Sequence, residues 1–256
     1  MPPQVTEEPA AEPSLSAYEA AFAVAVLAAL TAWLASVATA VLAGFVRFGL
    51  PPDPNALFSQ QPLWERRVDG LIPDLENMAR IGWEQAGRDL GVRTPFDPRN
   101  PIIQDQLSRT RNLLVRISDE VYRDIINALS KAVAEGLDVR GQAEAVRRVL
   151  DINGSENWPA RARTIAVTEV NRAWNFGVLA HGLTVQQDLR VQVLKRWDSK
   201  EDTRVRAAHE EADGQVRPIS QPFIVGGEAL MAPLDPSGSP SMVINCRCRA
   251  RLRRMS

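Results

Sequence analysis

The densest run of reactive side chains lies between Trp197 and Gly214, where Asp198, Asp202, Arg204, Arg206, His209 and Asp213 fall close together. Carboxylates around a cation can activate water, so Asp198, Asp202, His209 and Asp213 are the set that a metal-dependent nuclease or hydrolase would use. The same run also fits a simpler purpose. If Asp202 opens a short helix over 202–211, its carboxylate caps the free backbone donors. Arg206 and His209 then lie three apart on one face, with Asp213 just beyond. Such a cluster binds an anion, positions a metal or fastens a loop through Arg–carboxylate pairs.

The only two cysteines, Cys246 and Cys248, are one residue apart. Two residues of extended chain span roughly 6.6 Å, near the upper limit for a disulfide. The sequence therefore has no disulfide framework, and a reducing compartment is expected. On a strand over 242–248 both sulfurs would project to one side, where His209 could be a third soft ligand. A structural zinc on His209, Cys246 and Cys248 is thus the structural metal reading, with Asp213 the nearest fourth candidate; no other cofactor is implied. Reduced cysteines packed as small apolar side chains are the alternative.

Catalytic signatures are otherwise sparse. No GxSxG elbow, phosphate-binding loop or HExxH motif occurs. His181 and His209 are the only imidazoles, and a Cys248, His209 and Asp213 triad is formal only. Glu169 has the chemistry of a general base, yet beside Thr168, Asn171 and Arg172 it reads as part of a polar network between helices.

The 30 Lys and Arg against 31 Asp and Glu leave a net charge of -1, which excludes a surface that is polycationic throughout. The charge is graded. Residues 1–100 carry 7 basic and 12 acidic side chains, residues 101–194 carry 12 and 11, and residues 195–256 carry 11 and 8. From Arg247 to the end come Arg247, Arg249, Arg251, Arg253 and Arg254 without an acid, a basic tail able to meet phosphates or a partner.

These residues need elements to hold them. Residues 1–16, rich in Pro, Glu and Ala, read as a disordered leader and lack the basic start of a signal peptide. The 27 residues from Ala20 to Val46 carry no charge, long enough to cross a bilayer, but eleven are Ala. Leu27, Leu30, Leu34, Val37, Val41 and Gly44 recur in steps of three and four and ask for a partner helix. Pro51-Pro52 stops the run. A helix over 62–90 interrupted near Pro73 completes an N-terminal docking region (17–100), which the Asp97–Pro101 connector ends.

A helical core (101–182) follows. Leu107, Leu114, Ile117, Val121, Ile125, Leu129 and Val133 predict one long amphipathic helix over 102–135, ended by Gly136. A second helix spans 139–150, a loop 151–159 and a third helix 160–178. Beyond His181-Gly182 the pattern shifts to strands over 190–197, 221–225 and 242–248, giving a small C-terminal module (183–256). The fold class is α+β, a mainly α-helical body with a small mixed α+β C-terminal module.

The order of these motifs is specific. Thr168-Glu169 and Asn171 precede Lys195-Arg196-Trp197. Next come Asp202-Thr203-Arg204-Val205-Arg206, His209 and Asp213-Gly214, then Phe223, Gly226-Gly227 and Pro233–Pro236, and last Asn245-Cys246-Arg247-Cys248. Over about residues 102–252 this resembles the phage head morphogenesis proteins related to phage Mu protein F. The familiar Ala-Arg-Thr-Glu stands here as Ala166-Val167-Thr168-Glu169, so no role of that Arg carries over.

The resemblance implies a minor capsid protein, not an enzyme in its core domain, that joins prohead and portal and influences DNA packaging or ejection. It would reside inside the virion and, during assembly, in the host cytoplasm. The partners implied are the portal protein, capsid or scaffold proteins and packaged double-stranded DNA. The 20–46 helix could dock on the portal or on its own copy, and the Arg tail could touch DNA. A chain ending at Ser256 leaves no room for a fused effector. The competing readings are the hydrolase above and a protein anchored in a membrane by Ala20–Val46.

Overall fold

The computed structural model describes residues 14–152, 157–200 and 202–255. The expected leader up to residue 13 and the centre of the 151–159 loop lie outside them. Helix α1 (Ser16–Phe48) ends at Gly49, whose left-handed φ of 66° lets its N–H reach the Phe45 carbonyl. The helix is long and apolar enough to cross a membrane by length and composition. One face, including Phe22, Val26, Leu30, Trp33, Val37 and Val41, is buried in the core. Leu27 and Gly44 of the expected seam sit at its half-buried flank, because the buried stripe is centred nearer Trp33. The partner helix belongs to the same chain.

A 3₁₀ turn (Pro54–Gln60) leads to α2 (Gln61–Asp69) and α3 (Ile72–Leu90), split as the proline at 73 predicts. The single helix expected over 102–135 is two, α4 (Pro101–Val115) and α5 (Ile117–Ala134). Trp64 causes the break. Its buried Nε1 donates to the carbonyls of Leu114 (3.0 Å) and Val115 (3.2 Å), oxygens that an uninterrupted helix would use itself.

After α6 (Val139–Ile152), α7 (Trp158–Leu189) runs through His181-Gly182, where the sequence suggested a change of pattern. Glycine is needed there for space. A Cβ at Gly182 would meet the side chains of Ile219 at 2.3 Å and Leu252 at 2.7 Å. Helices α3, α1 and α4 all pack on α7, making it the axis of the body. At the α3/α7 crossing the backbones touch: a Cβ at Gly82 would lie 2.0 Å from the Trp174 carbonyl oxygen, and one at Gly177 1.9 Å from that of Ala79.

The left-handed Arg190 turns the chain into the module. Strand β1 (Val193–Asp198) is followed by the short helix α8 (Ala207–Glu211), β2 (Val216–Pro218), β3 (Phe223–Val225), β4 (Glu228–Leu230), the single turn α9 (Pro240–Val243) and β5 (Arg249–Arg254). Central β1 pairs antiparallel with both β2 and β5, and β3 and β4 form a hairpin. Gly226 and Gly227, both at positive φ, make the tight turn of that hairpin. The fold is α+β, a helical body carrying a small antiparallel module.

Three local expectations are corrected. The helix expected over 202–211 begins only at Ala207, because Asp202 sits in a turn and binds side chains elsewhere. The stretch 242–248 is not a strand: α9 runs to Val243, extended Ile244 caps it, and left-handed Asn245 (φ 58°) turns the chain. The basic tail is not a free arm, since Arg249–Arg254 form an edge of the sheet.

Candidate functional site

Two adjoining features bring the singled-out residues together. The first is a polar seam on the α7 face toward the module. Glu169 and Arg172, one turn apart and both buried, pair at 2.5 Å (Oε1 to Nη1). The Thr110 hydroxyl of α4 donates to Glu169 Oε2 at 2.7 Å, and Arg172 Nε donates to the Leu234 carbonyl at 2.9 Å. One ion pair thereby joins α4, α7 and the 231–237 loop. Asn171 Nδ2 donates to Glu19 Oε1 of α1 at 2.7 Å, while Thr168 Oγ1 accepts the Asn245 N–H at 3.0 Å. Asn175 is fully buried; its Nδ2 donates to the Cys248 carbonyl (3.0 Å) and its Oδ1 accepts the Ala250 N–H (2.8 Å). Buried polar groups are retained where each has partners, as here.

The second feature is a triad of soft donors in the small core of the module. His209 is the buried residue of α8, and its Nδ1 lies 3.5 Å from Cys246 Sγ and 3.4 Å from Cys248 Sγ. The three donor atoms all lie within 4.8 Å of one another, and each residue is buried. Trp197 packs edge-on against the His209 ring at 5.5 Å and against Phe223 at 5.4 Å. The two thiols differ. The hydrogen bond with Cys248, helped by the nearby guanidinium groups of Arg206 and Arg247, draws Cys246 below the ordinary thiol range. The same hydrogen bond, with burial, pushes Cys248 far above it.

The hydrolase set is not assembled among the described residues. Asp202 forms a two-armed pair with Arg247 (2.6 and 2.7 Å) and accepts the Arg204 N–H, which holds its carboxyl down to about 2. Asp213 Oδ1 accepts the Ser199 N–H at 2.7 Å, and Asp198 faces Arg251 at 3.6 Å. Arg204 has an exposed side chain, Arg206 donates to the Ile244 carbonyl, and Gly214 returns its N–H to the Trp197 carbonyl at 2.9 Å. These contacts fasten loops. Of the basic residues, the Arg249 guanidinium lies over the Trp174 ring at 5.1 Å, while Arg253 and Arg254 are exposed.

Lys195 and Asp235 belong to the motif order read from the sequence, but that reading gives neither of them a role. Lys195 is fully buried on β1, donates to the Met231 carbonyl at 2.5 Å and lies 4.9 Å over the Phe223 ring. Burial draws its ammonium down to about 8. Asp235 accepts the N–H groups of Met231 (2.7 Å) and Ser237 (2.9 Å). With Arg172 on its carbonyl, Leu234 is held at a left-handed φ of 65°. The alternation of Val193, Lys195 and Trp197 places Lys195 on an inward position, which is the signal that could have found it.

The family model described as Phage Mu protein F like protein matches residues 123–251, 129 of the 256 in the chain. That span includes α7, the Glu169–Arg172 pair and the His–Cys triad. The chain is also similar to the minor head protein GP7 of Bacillus phage SPP1, at 29% identity over 170 residues. The alignment covers 63% of this chain and 51% of the relative, so the chain spans about half the length of the curated relative it matches. No solved structure matches.

Proposed function

We propose, from the premise that the chain belongs to the Phage Mu protein F like family, that it is a minor head protein acting in phage head assembly. In this reading it associates with the portal during prohead assembly in the host cytoplasm, remains inside the capsid and acts in DNA packaging or ejection. The observation that carries the reading is the family match over 123–251, which contains the Glu169–Arg172 pair and the contacts that Thr168 and Asn175 make to the module. The seam supports an assembly role rather than turnover. Glu169 is occupied by Arg172 and Thr110, and Asp198, Asp202 and Asp213 of the Trp197–Gly214 run are tied to local partners.

Portal, capsid or scaffold proteins would meet the apolar side chains that α1 and the following turn leave exposed, chiefly Val24, Val46, Phe48 and Leu50. Packaged DNA would meet the exposed Arg253 and Arg254 at the end of β5. The test is co-expression with the cognate portal protein followed by size exclusion. Deleting α1 would remove part of the core, so the informative variant replaces Val24, Val46, Phe48 and Leu50 by Ser. The wild-type chain is expected to co-elute with portal, and the variant to elute alone while melting normally. A wild-type chain that elutes apart from portal and is missing from purified heads would overturn the assignment. A shift of the isolated chain's mass on the same substitution would reveal self-association through the 20–46 helix.

A further inference from the structure

We propose that His209 Nδ1 and the sulfurs of Cys246 and Cys248 hold a zinc ion that staples the C-terminal module. Three borderline-soft donors from segments 37 and 39 residues apart converge within 4.8 Å. This is the donor chemistry zinc selects, and tetrahedral thiolate–imidazole sites are its usual structural form. Among the described residues no fourth side chain joins the group, so these supply three of the four donors of a tetrahedral site.

Hydrogen bonding alone satisfies this triad poorly. The Nδ1 lone pair can accept from one thiol, and the imidazole has only weak sulfur partners in a dry setting. His209 Nε2 is buried without a hydrogen bond. Leaving such polar atoms underused in a core is unfavourable. Zinc satisfies Nδ1 and both sulfurs: each thiol gives its proton to solvent, both sulfurs bind as thiolates, and the neutral ring binds through Nδ1, its proton staying on Nε2. The site's net charge is then zero.

The surroundings already hold the donors in place. Arg206 at the start of α8 donates to the Ile244 carbonyl, pinning the helix that carries His209 to the segment that carries the cysteines. Arg247, between the two cysteines, is clamped by Asp202, and Asn175 fixes the Cys248 carbonyl. The Cys248 N–H points at Cys246 Sγ at 3.4 Å, the sense that favours a thiolate there. The module also has reason to use a staple. Its separate core comprises eight buried residues, two of them the cysteines, and β2, β3 and β4 have three residues each. Small cores commonly draw on a metal for stability.

The test uses the full chain purified without chelator. Metal analysis is expected to find about one zinc per chain, lost in Cys246→Ser/Cys248→Ser. Adding Zn2+ to the metal-stripped wild type should raise its melting temperature, and Co2+ should produce the thiolate-to-cobalt charge-transfer band. These two titrations need only the wild-type chain, so they decide the matter even if the variant does not fold. A folded wild type that binds neither Zn2+ nor Co2+ overturns the proposal, as does a zinc content unchanged in the double variant.

Discussion

The helical body and the C-terminal module fix their geometry by opposite means. Where α3 crosses α7, two glycines let backbone meet backbone, and specificity comes from the absence of side chains. In the module, short strands and loops are held by directed bonds: Arg172 to the Leu234 carbonyl, Lys195 to that of Met231, Asn175 to that of Cys248. The body should therefore fail when volume is added, and the module when a donor or a charge is removed or titrated.

The crossing offers the largest effect. Gly82→Ala and Gly177→Ala each place a Cβ about 2 Å from a carbonyl oxygen, so the helices must separate. Each is expected to cost about 3 kcal/mol, and the pair to consume most of an ordinary domain's stability. Urea unfolding followed by circular dichroism measures this, and a double variant with an unchanged midpoint would show that the body is not held by close approach. Next comes the seam between the two regions. Glu169→Ala strands the buried Arg172 guanidinium and should cost about 3 kcal/mol in the same assay. A loss below a quarter of that would mean the seam is wet and the regions loosely joined.

Smaller effects distinguish charges within the module. Lys195 titrates at about 8 when folded against an ordinary 10.5. Below pH 8 it is protonated in both states and its burial cost is fully present. Between 8 and 10.5 the folded chain has released a proton that the unfolded chain keeps, so stability rises with pH. Wild-type unfolding midpoints should accordingly gain on those of Lys195→Met between pH 7.5 and 10; parallel curves would contradict the buried cation. The smallest effect belongs to Asp202, a solvent-facing group held down to about 2 from an ordinary 3.8. Its contribution is present above 3.8 and is lost as pH falls toward 2. The deficit of Asp202→Asn in melting temperature should thus be visible at pH 6 and mostly gone at pH 2.

What could be read beforehand was local. Apolar spacing located α1, and Pro73 located the start of α3, because both signals lie within a few residues of their effect. The break between α4 and α5 was illegible, since its cause is an indole fifty residues away in sequence. The length of α7 was hidden for a similar reason: Gly182 looks like a breaker but serves packing against Ile219 and Leu252. At the candidate site the spacing of Cys246 and Cys248 foretold sulfurs on one side, although the element is an extended loop after a left-handed Asn245. The burial of Lys195 was not foreseen, because a lysine at an inward position in a strand runs against expectation.

The glycine crossing also bears on motion. Helices separated by a layer of interlocking side chains can slip by switching rotamers, but two chains whose peptide planes abut have no such gear to change. Helix α7 must then turn or shift together with α3 as one lever. Any displacement of the module against that lever would have to break the bonds that Arg172, Asn175 and Thr168 make to it.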